Sequence, residues 1–414
     1  MPDTGDGEDA MTERAEDGGP VGAGAAAFDA ASFDRVSEEA LRGAGSLKWT
    51  RYGPAIGAFV AEMDVGTAPA VTAALHEAVE HGRLGYLTPE AAADMARACA
   101  DWQRRRYGWE VPAERITPLA DVVAGLQVAI ERFTPPGSAV VLPTPAYMPF
   151  RAVPGLLGRE LVEVPMVERN GRAGYDLDGI ARAFDGGARL LVHVNPHNPT
   201  GRVFTAEEQL DLAAVVDAAG ARVFSDEIHA PLVLPGAVHR PYASLSPVTA
   251  GHAVTATSAS KAWNLPGLKA AQLILGNPED AAAWERVGWL HTHGASTPGV
   301  LAGTAAYDAG GDWLDGVLAY LDGNRAHLAA LLAEHLPDVR WTPPEGTYLA
   351  WLDCRALGLP VSSGEFFLDR AGVALVDGPE CGAPGTGHVR LNFATPRPVL
   401  TTIVRRMADA VRTG

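Results

Sequence analysis

From Gly82 to about Leu275, short uninterrupted apolar runs alternate with stretches of helical length. Runs lacking polar alternation suit strands covered on both faces, so the pattern predicts a mostly parallel sheet flanked by helices. The predicted strands are Ala139–Leu142, Arg189–Val194, Ala221–Ser225, Ala253–Thr257 and Ala271–Leu275. Helical segments lie between them, among them Thr205–Ala219, which opens with Thr205 and Glu208 at capping-box spacing. Right-handed crossovers bring each strand's carboxyl end to one edge of the sheet. The C-terminal part changes character. Asp312–Leu336 reads as one long helix, with Trp313, Leu314, Val317 and Leu321 at helical spacing. Gly346–Asp353 and His388–Phe393 then read as strands, and Thr401–Arg412 as a closing helix. The predicted fold class is α/β: a large domain over residues 76–304, and a smaller α+β domain over 305–414 to which 28–75 contribute.

Composition changes this picture at one end of the chain. The sequence has 414 residues, 47% of them hydrophobic and 20% charged, enough for two substantial cores. Residues 1–27 hold Asp3, Asp6, Glu8, Asp9, Glu13, Glu16 and Asp17 against Arg14, then a Gly/Ala run, and read as a disordered acidic tail. Gly22–Ala27 mimics a dinucleotide fingerprint, but no strand precedes it, so it is dismissed. A net charge of −17 argues against nucleic acid as a partner. Cys99, Cys354 and Cys381 are too scattered for a disulfide framework or metal knuckle. His291 and His293 lack a third ligand at metal spacing, so no metal is expected. With no signal peptide or membrane-length apolar run, the expectation is a cytoplasmic protein without membrane contact.

Lysine is the scarce residue: only Lys48, Lys261 and Lys269 occur among the 33 Lys plus Arg. Arginine supplies nearly all the other positive charge, but a guanidinium does not form imines. Lys261, after an apolar run and the hydroxyls of Ser258 and Ser260, suits a Schiff-base lysine beside a phosphate. Three more polar residues follow predicted strands: Tyr147, Asn198 and Asp226. Ligands of open α/β sheets bind outside the strands' carboxyl ends. Pyridoxal phosphate needs an amine for its aldehyde and an acid beside its pyridine nitrogen, and Lys261 and Asp226 supply both. Tyr147 can stack on the ring. Asn198 can donate to the phenolate oxygen. Ser258, Ser260 and the helix-start amides near Val122 and Val123 can hold the phosphate. Each residue also has a purely structural reading. Asn198 can serve a turn, Asp226 a helix cap, Tyr147 the core and Ser258 a bend. Four coincidences at four strand ends are the weaker account.

On these residues the chain resembles the fold-type I, pyridoxal phosphate-dependent aminotransferase class I/II superfamily, and within it the cystathionine β-lyase and cystalysin type of carbon–sulfur lyase. The motifs are Ala61-Glu62-Met63-Asp64, Gly85-Tyr86, Asn195–Gly201, Ser225–His229, Ser258–Lys261 with Asn264, and Arg390-Leu391-Asn392. The resemblance implies that Lys261 bonds the cofactor, Asp226 holds its ring nitrogen and Arg390 clamps the substrate carboxylate beside Tyr147 and Asn198. It also implies that Tyr86 reaches the cofactor phosphate of a neighbouring subunit, hence a homodimer. His229 stands where the aminotransferases carry tyrosine and resembles the lyases. So do Glu345–Trp351 and Trp313-Leu314-Asp315. A core role for His229 weighs equally. The implied activity is β-cleavage of an L-cysteine thioether to a thiol, pyruvate and ammonia. The alternatives are an aminotransferase and a pyridoxal phosphate-binding regulatory protein. Three positions depart from the family pattern. Asp121 lies where the cofactor phosphate is approached by small residues, and repels it unless turned away or protonated. Lys269 replaces a phosphate-binding arginine, and Cys381 replaces an aromatic residue.

Overall fold

The computed structural model describes residues 28–169 and 171–413, so the expected acidic tail and the Gly22–Ala27 run lie outside the described residues. Its centre is a seven-stranded sheet. In chain order the strands are β1 (Ile116–Leu119), β2 (Ala139–Thr144), β3 (Leu161–Pro165), β4 (Ala188–Val194), β5 (Arg222–Asp226), β6 (Ala253–Thr257) and β7 (Ala271–Leu275). Their spatial order is β1-β7-β6-β5-β4-β2-β3.

Alternation of side chains across the sheet divides the core in two. Val140, Leu142, Leu190, Val192, Phe224, Val254 and Ala256 pack on one face. Their chain neighbours Val141, Leu191, Val223 and Ala253 pack on the other. Each such valine or leucine contributes roughly 1.5–3 kcal/mol on burial. Leu191→Asp would place a lone carboxylate there and break the sheet's centre.

Four differences from the sequence expectation have local causes. First, β7 runs antiparallel to both β6 and β1. The link from β6 to β7 holds only one short helical turn, Pro266–Leu268, and a parallel return needs a full crossover. Second, β1 and β3 are strands the apolar pattern does not mark. Both are sheet edges; β1 contains Pro118, which an edge tolerates, and β3 is only partly buried. Third, the strand predicted from Gly346 begins at Leu349. Gly346 N–H instead donates to the Gly201 carbonyl and Thr347 N–H to the Leu232 carbonyl, with Thr347 at φ 67°. Fourth, the closing helix starts at Arg397 rather than Thr401, because Pro398 in its first turn forfeits no helical hydrogen bond.

The predicted Thr205 cap is present on helix Ala206–Ala218, with both halves of the capping box formed. The C-terminal region forms a four-stranded antiparallel sheet that includes Leu349–Asp353 and His388–Asn392. Helices Gly311–His335 and Arg397–Thr413 pack against each other beside it. The N-terminal segment joins this region, Ile56–Gly57 pairing in parallel with Val373–Ala374. No helix among the described residues is long and apolar enough to cross a membrane.

Candidate active site

Strands β2, β4, β5 and β6 end on one edge, and four chemically active side chains sit there. Asp226 is the last residue of β5 itself, one position beyond the strand's predicted end at Ser225, and is buried. Its Oδ1 accepts the Ile228 N–H at 3.0 Å. Burial outweighs that bond and pushes the carboxyl up to about 7. Lys261 lies in the turn after β6, and its Nζ donates to the Ala61 carbonyl at 2.7 Å. Burial, then the nearby Arg390, pull this amine down to about 8. Asn198 follows β4, and its Oδ1 accepts Arg390 Nη1 at 2.8 Å. Arg390, on strand His388–Asn392, is buried, and its Nη2 donates to the Phe59 carbonyl at 2.7 Å. Tyr147 follows β2 and caps helix Met148–Leu156, half-buried, its ring edge-on to Phe150 at 5.4 Å.

His229 is buried three residues beyond Asp226, its ring 6.0 Å from that of Tyr348. Burial and the neighbouring cations Lys261 and Arg390 hold its pKa well below the ordinary imidazole value. Among the described residues, His229 Nδ1 and Arg390 Nε are buried polar atoms with no partner.

One layer of the site is invisible to the strand-end argument: the segment 59–64, whose carbonyls from Phe59 to Met63 are all engaged. Arg390 takes Phe59, Lys261 and Tyr348 share Ala61, Asn392 takes Val60 and Glu62, and Asn264 takes Met63. Lys48, buried, ties Asp64 down at 2.9 Å. The Glu62 carboxyl, pushed up by burial, lies close enough to feel Lys261. The sequence reading assigns no task to Tyr348, Glu62 or Asn392. The signal was there in part, since all three lie in or beside the motifs that carry the resemblance.

Beside these residues is the start of helix Val122–Phe133, which follows β1. The helix lies tight on the sheet because a Cβ at Gly125 would stand 3.0 Å from that of Ala256. Asp121 is its cap, Oδ1 accepting the Ala124 N–H at 2.9 Å. Asp121 Oδ2 accepts Lys269 Nζ at 3.0 Å. The carboxylate flagged as repulsive is thus turned to a helix terminus and a cation. Ser258 Oγ donates to the Ala270 carbonyl at 2.7 Å and accepts the Ser260 N–H at 3.0 Å, so its bend role is real. Cys381 is buried with Sγ 4.0 Å from Met148 Sδ, and burial pushes its thiol up to about 11. Tyr86 alone stands apart, 93% exposed.

The donor set fits pyridoxal phosphate: an amine with a lowered pKa, a buried carboxylate at a strand end, helix-start amides and an adjacent guanidinium. The unpartnered His229 Nδ1 and Arg390 Nε leave polar capacity for a ligand in the same place.

Fold and site together define a cofactor-dependent enzyme of amino acids, and the family description aminotransferase class I and II matches residues 59–407. The chain belongs to that family. It is 39% identical to the cystathionine beta-lyase of Corynebacterium glutamicum, over 90% of this chain and 98% of that one. The solved structure of the PLP-bound C–S lyase from Staphylococcus hominis superposes with a TM-score of 0.84 at 29% identity, covering 92% of this chain and 98% of the other. N-succinyldiaminopimelate aminotransferase from Mycobacterium tuberculosis superposes with a TM-score of 0.80 at 27% identity, covering 92% and 96%.

Proposed function

We propose that this chain is a pyridoxal phosphate-dependent carbon–sulfur β-lyase. It cleaves an L-cysteine thioether of the cystathionine type, with water, to a thiol, pyruvate and ammonium. One observation carries the reading: Lys261, Asp226, Asn198 and Arg390 meet at a single sheet edge, with His229 rather than tyrosine beside them.

When bound, pyridoxal phosphate supplies an electron sink for the pair released at Cα. Lys261 would hold it, with Asp226 at its ring nitrogen, Asn198 at its phenolate oxygen and Val122 and Val123 amides at its phosphate. Arg390 orients the substrate. Its Nη1 and Nη2 each spend one hydrogen on Asn198 or Phe59 and keep the other for the substrate α-carboxylate. An amine near 8 is partly neutral at neutral pH, so Lys261 can take the Cα proton and return it to the departing sulfur. His229, held neutral, adds no positive charge beside the ring. Tyr348 and the 59–64 segment close the site over Lys261 and restrict water.

The identity to a cystathionine beta-lyase over most of both chains favours β-cleavage over transamination, although the aminotransferase fold is shared. Incubation with L-cystathionine should release thiol and pyruvate in equal amounts without added 2-oxo acid. Amino transfer that depends on a 2-oxo acid, with no thiol, would overturn the lyase reading. The enzyme acts as a cytoplasmic homodimer in this proposal. Tyr86, 93% exposed, and Leu84, 59% exposed, form an apolar edge that a second copy would cover. Tyr86→Ala should then weaken the dimer in sedimentation.

A further inference from the structure

We infer that Asp121 is a built-in counter-charge in the phosphate cradle, dividing Lys269 between itself and the cofactor so that pyridoxal phosphate is held less tightly and exchanges more readily. This rests on the cofactor assignment above and goes beyond it. The cradle is made of the first amides of helix Val122–Phe133, the Ser258–Ser260 turn and Lys269. Asp121 caps that helix, so its carboxylate occupies the terminus where backbone amides and the helix dipole would otherwise face an anion undiluted. It also takes Lys269 Nζ at 3.0 Å, and Lys269 is the cradle's one lysine besides Lys261. Ser258, bonded to the Ala270 carbonyl next to Lys269, fixes this corner to the Lys261 turn.

Cofactor binding therefore brings a phosphate dianion towards a carboxylate that already owns part of the nearest cation. Two like charges cannot both be fully satisfied by one ammonium. The helix itself does not need the negative charge, since asparagine and serine cap as well as aspartate. Capping alone thus leaves the choice of a charged residue unexplained, whereas a weakened phosphate grip accounts for it.

The test compares full-length wild type, Asp121→Asn, Asp121→Ser and Lys269→Met for pyridoxal phosphate affinity and for release from the loaded enzyme, followed by the Lys261 chromophore. Asp121→Asn and Asp121→Ser should each lower the Kd about two- to fivefold and slow release to match. Lys269→Met should weaken binding more in the Asp121→Asn background than alone, because there the lysine is undivided. Unchanged or weaker affinity in both Asp121 variants, with thermal midpoints as in the wild type, overturns the inference and leaves the cofactor assignment standing. Failure of the wild type to form the Lys261 chromophore overturns both.

Discussion

The floor of the site and its rim are built on different physics. On the floor, Asp226 and Arg390 are almost fully buried, and burial first, then the nearby charges, lower the pKa values of Lys261 and His229. At the rim, the side chains of Lys269 and Asp121 are 58% and 41% exposed and form a pair that water and salt can screen. The same kind of contact, a cation against an oxygen near 3 Å, is therefore worth much more in one place than in the other. In the proposed function the chemistry lies where solvent is excluded, and in the role proposed for Asp121 cofactor exchange is set where it is not.

The sharpest way to break this comparison is at Lys261. Lys261→Ala should lower β-cleavage by about 10⁴-fold or more, since the other two lysines are engaged elsewhere, Lys48 with Asp64 and Lys269 with Asp121. Cofactor trapping by borohydride should vanish in parallel. Retained turnover would mean the floor is not where the chemistry occurs.

Asp226 offers a test that needs no turnover. Its folded pKa, about 7, lies above the ordinary 3.8, so the cofactor-free chain binds this proton more tightly than the unfolded chain does. The associated stability is present below pH 3.8 and is lost as pH rises through 7. Lys261 works at the other end. Its value near 8 lies below the ordinary 10.5, so its share of stability returns as pH climbs from 8 to 10.5. Urea unfolding of the cofactor-free chain should show Asp226→Asn to be more stable than wild type at pH 8, by on the order of a few kcal/mol, with no advantage near pH 4. An equal difference at both pH values would mean that burial does not govern this carboxyl.

What was legible in the sequence follows the same division. β6 and β7 match their predicted runs residue for residue, because strands buried at every position have no exposed residue to blur their ends. The four strand-end residues were readable for that reason: the strand locates them and their chemistry identifies them. An apolar run has no arrow, however, so the reversed direction of β7 was not readable. Nor was the 59–64 segment, which is held by backbone carbonyls that any residue would supply. Asp121 was visible as an oddity. Its partner was not, because Lys269 lies 148 positions away in the chain.

Arg390→Lys measures the floor by a change that keeps the charge. A lysine cannot hold Asn198, the Phe59 carbonyl and a substrate carboxylate together. Losing a charge-assisted bond of about 1.5–3 kcal/mol should lower kcat/KM by roughly ten- to a hundredfold, mostly through KM. A change of less than threefold would mean that Arg390 does not meet the substrate.

The reverse exchange at the rim should do the least. Lys269→Arg keeps the cation, keeps reach to Asp121, and offers a fork that either the carboxylate or a phosphate can use. Because both side chains are about half exposed, the pair contributes within the range of surface bridges, about 0–1 kcal/mol. Pyridoxal phosphate affinity should shift by less than about threefold at 0.15 M salt, and raising the salt should shrink the shift further. The swap at 390 and the swap at 269 exchange the same two residue types in opposite directions. If Lys269→Arg moved affinity as far as Arg390→Lys moves kcat/KM, solvent would not be screening the rim, and the two regions would not differ in kind.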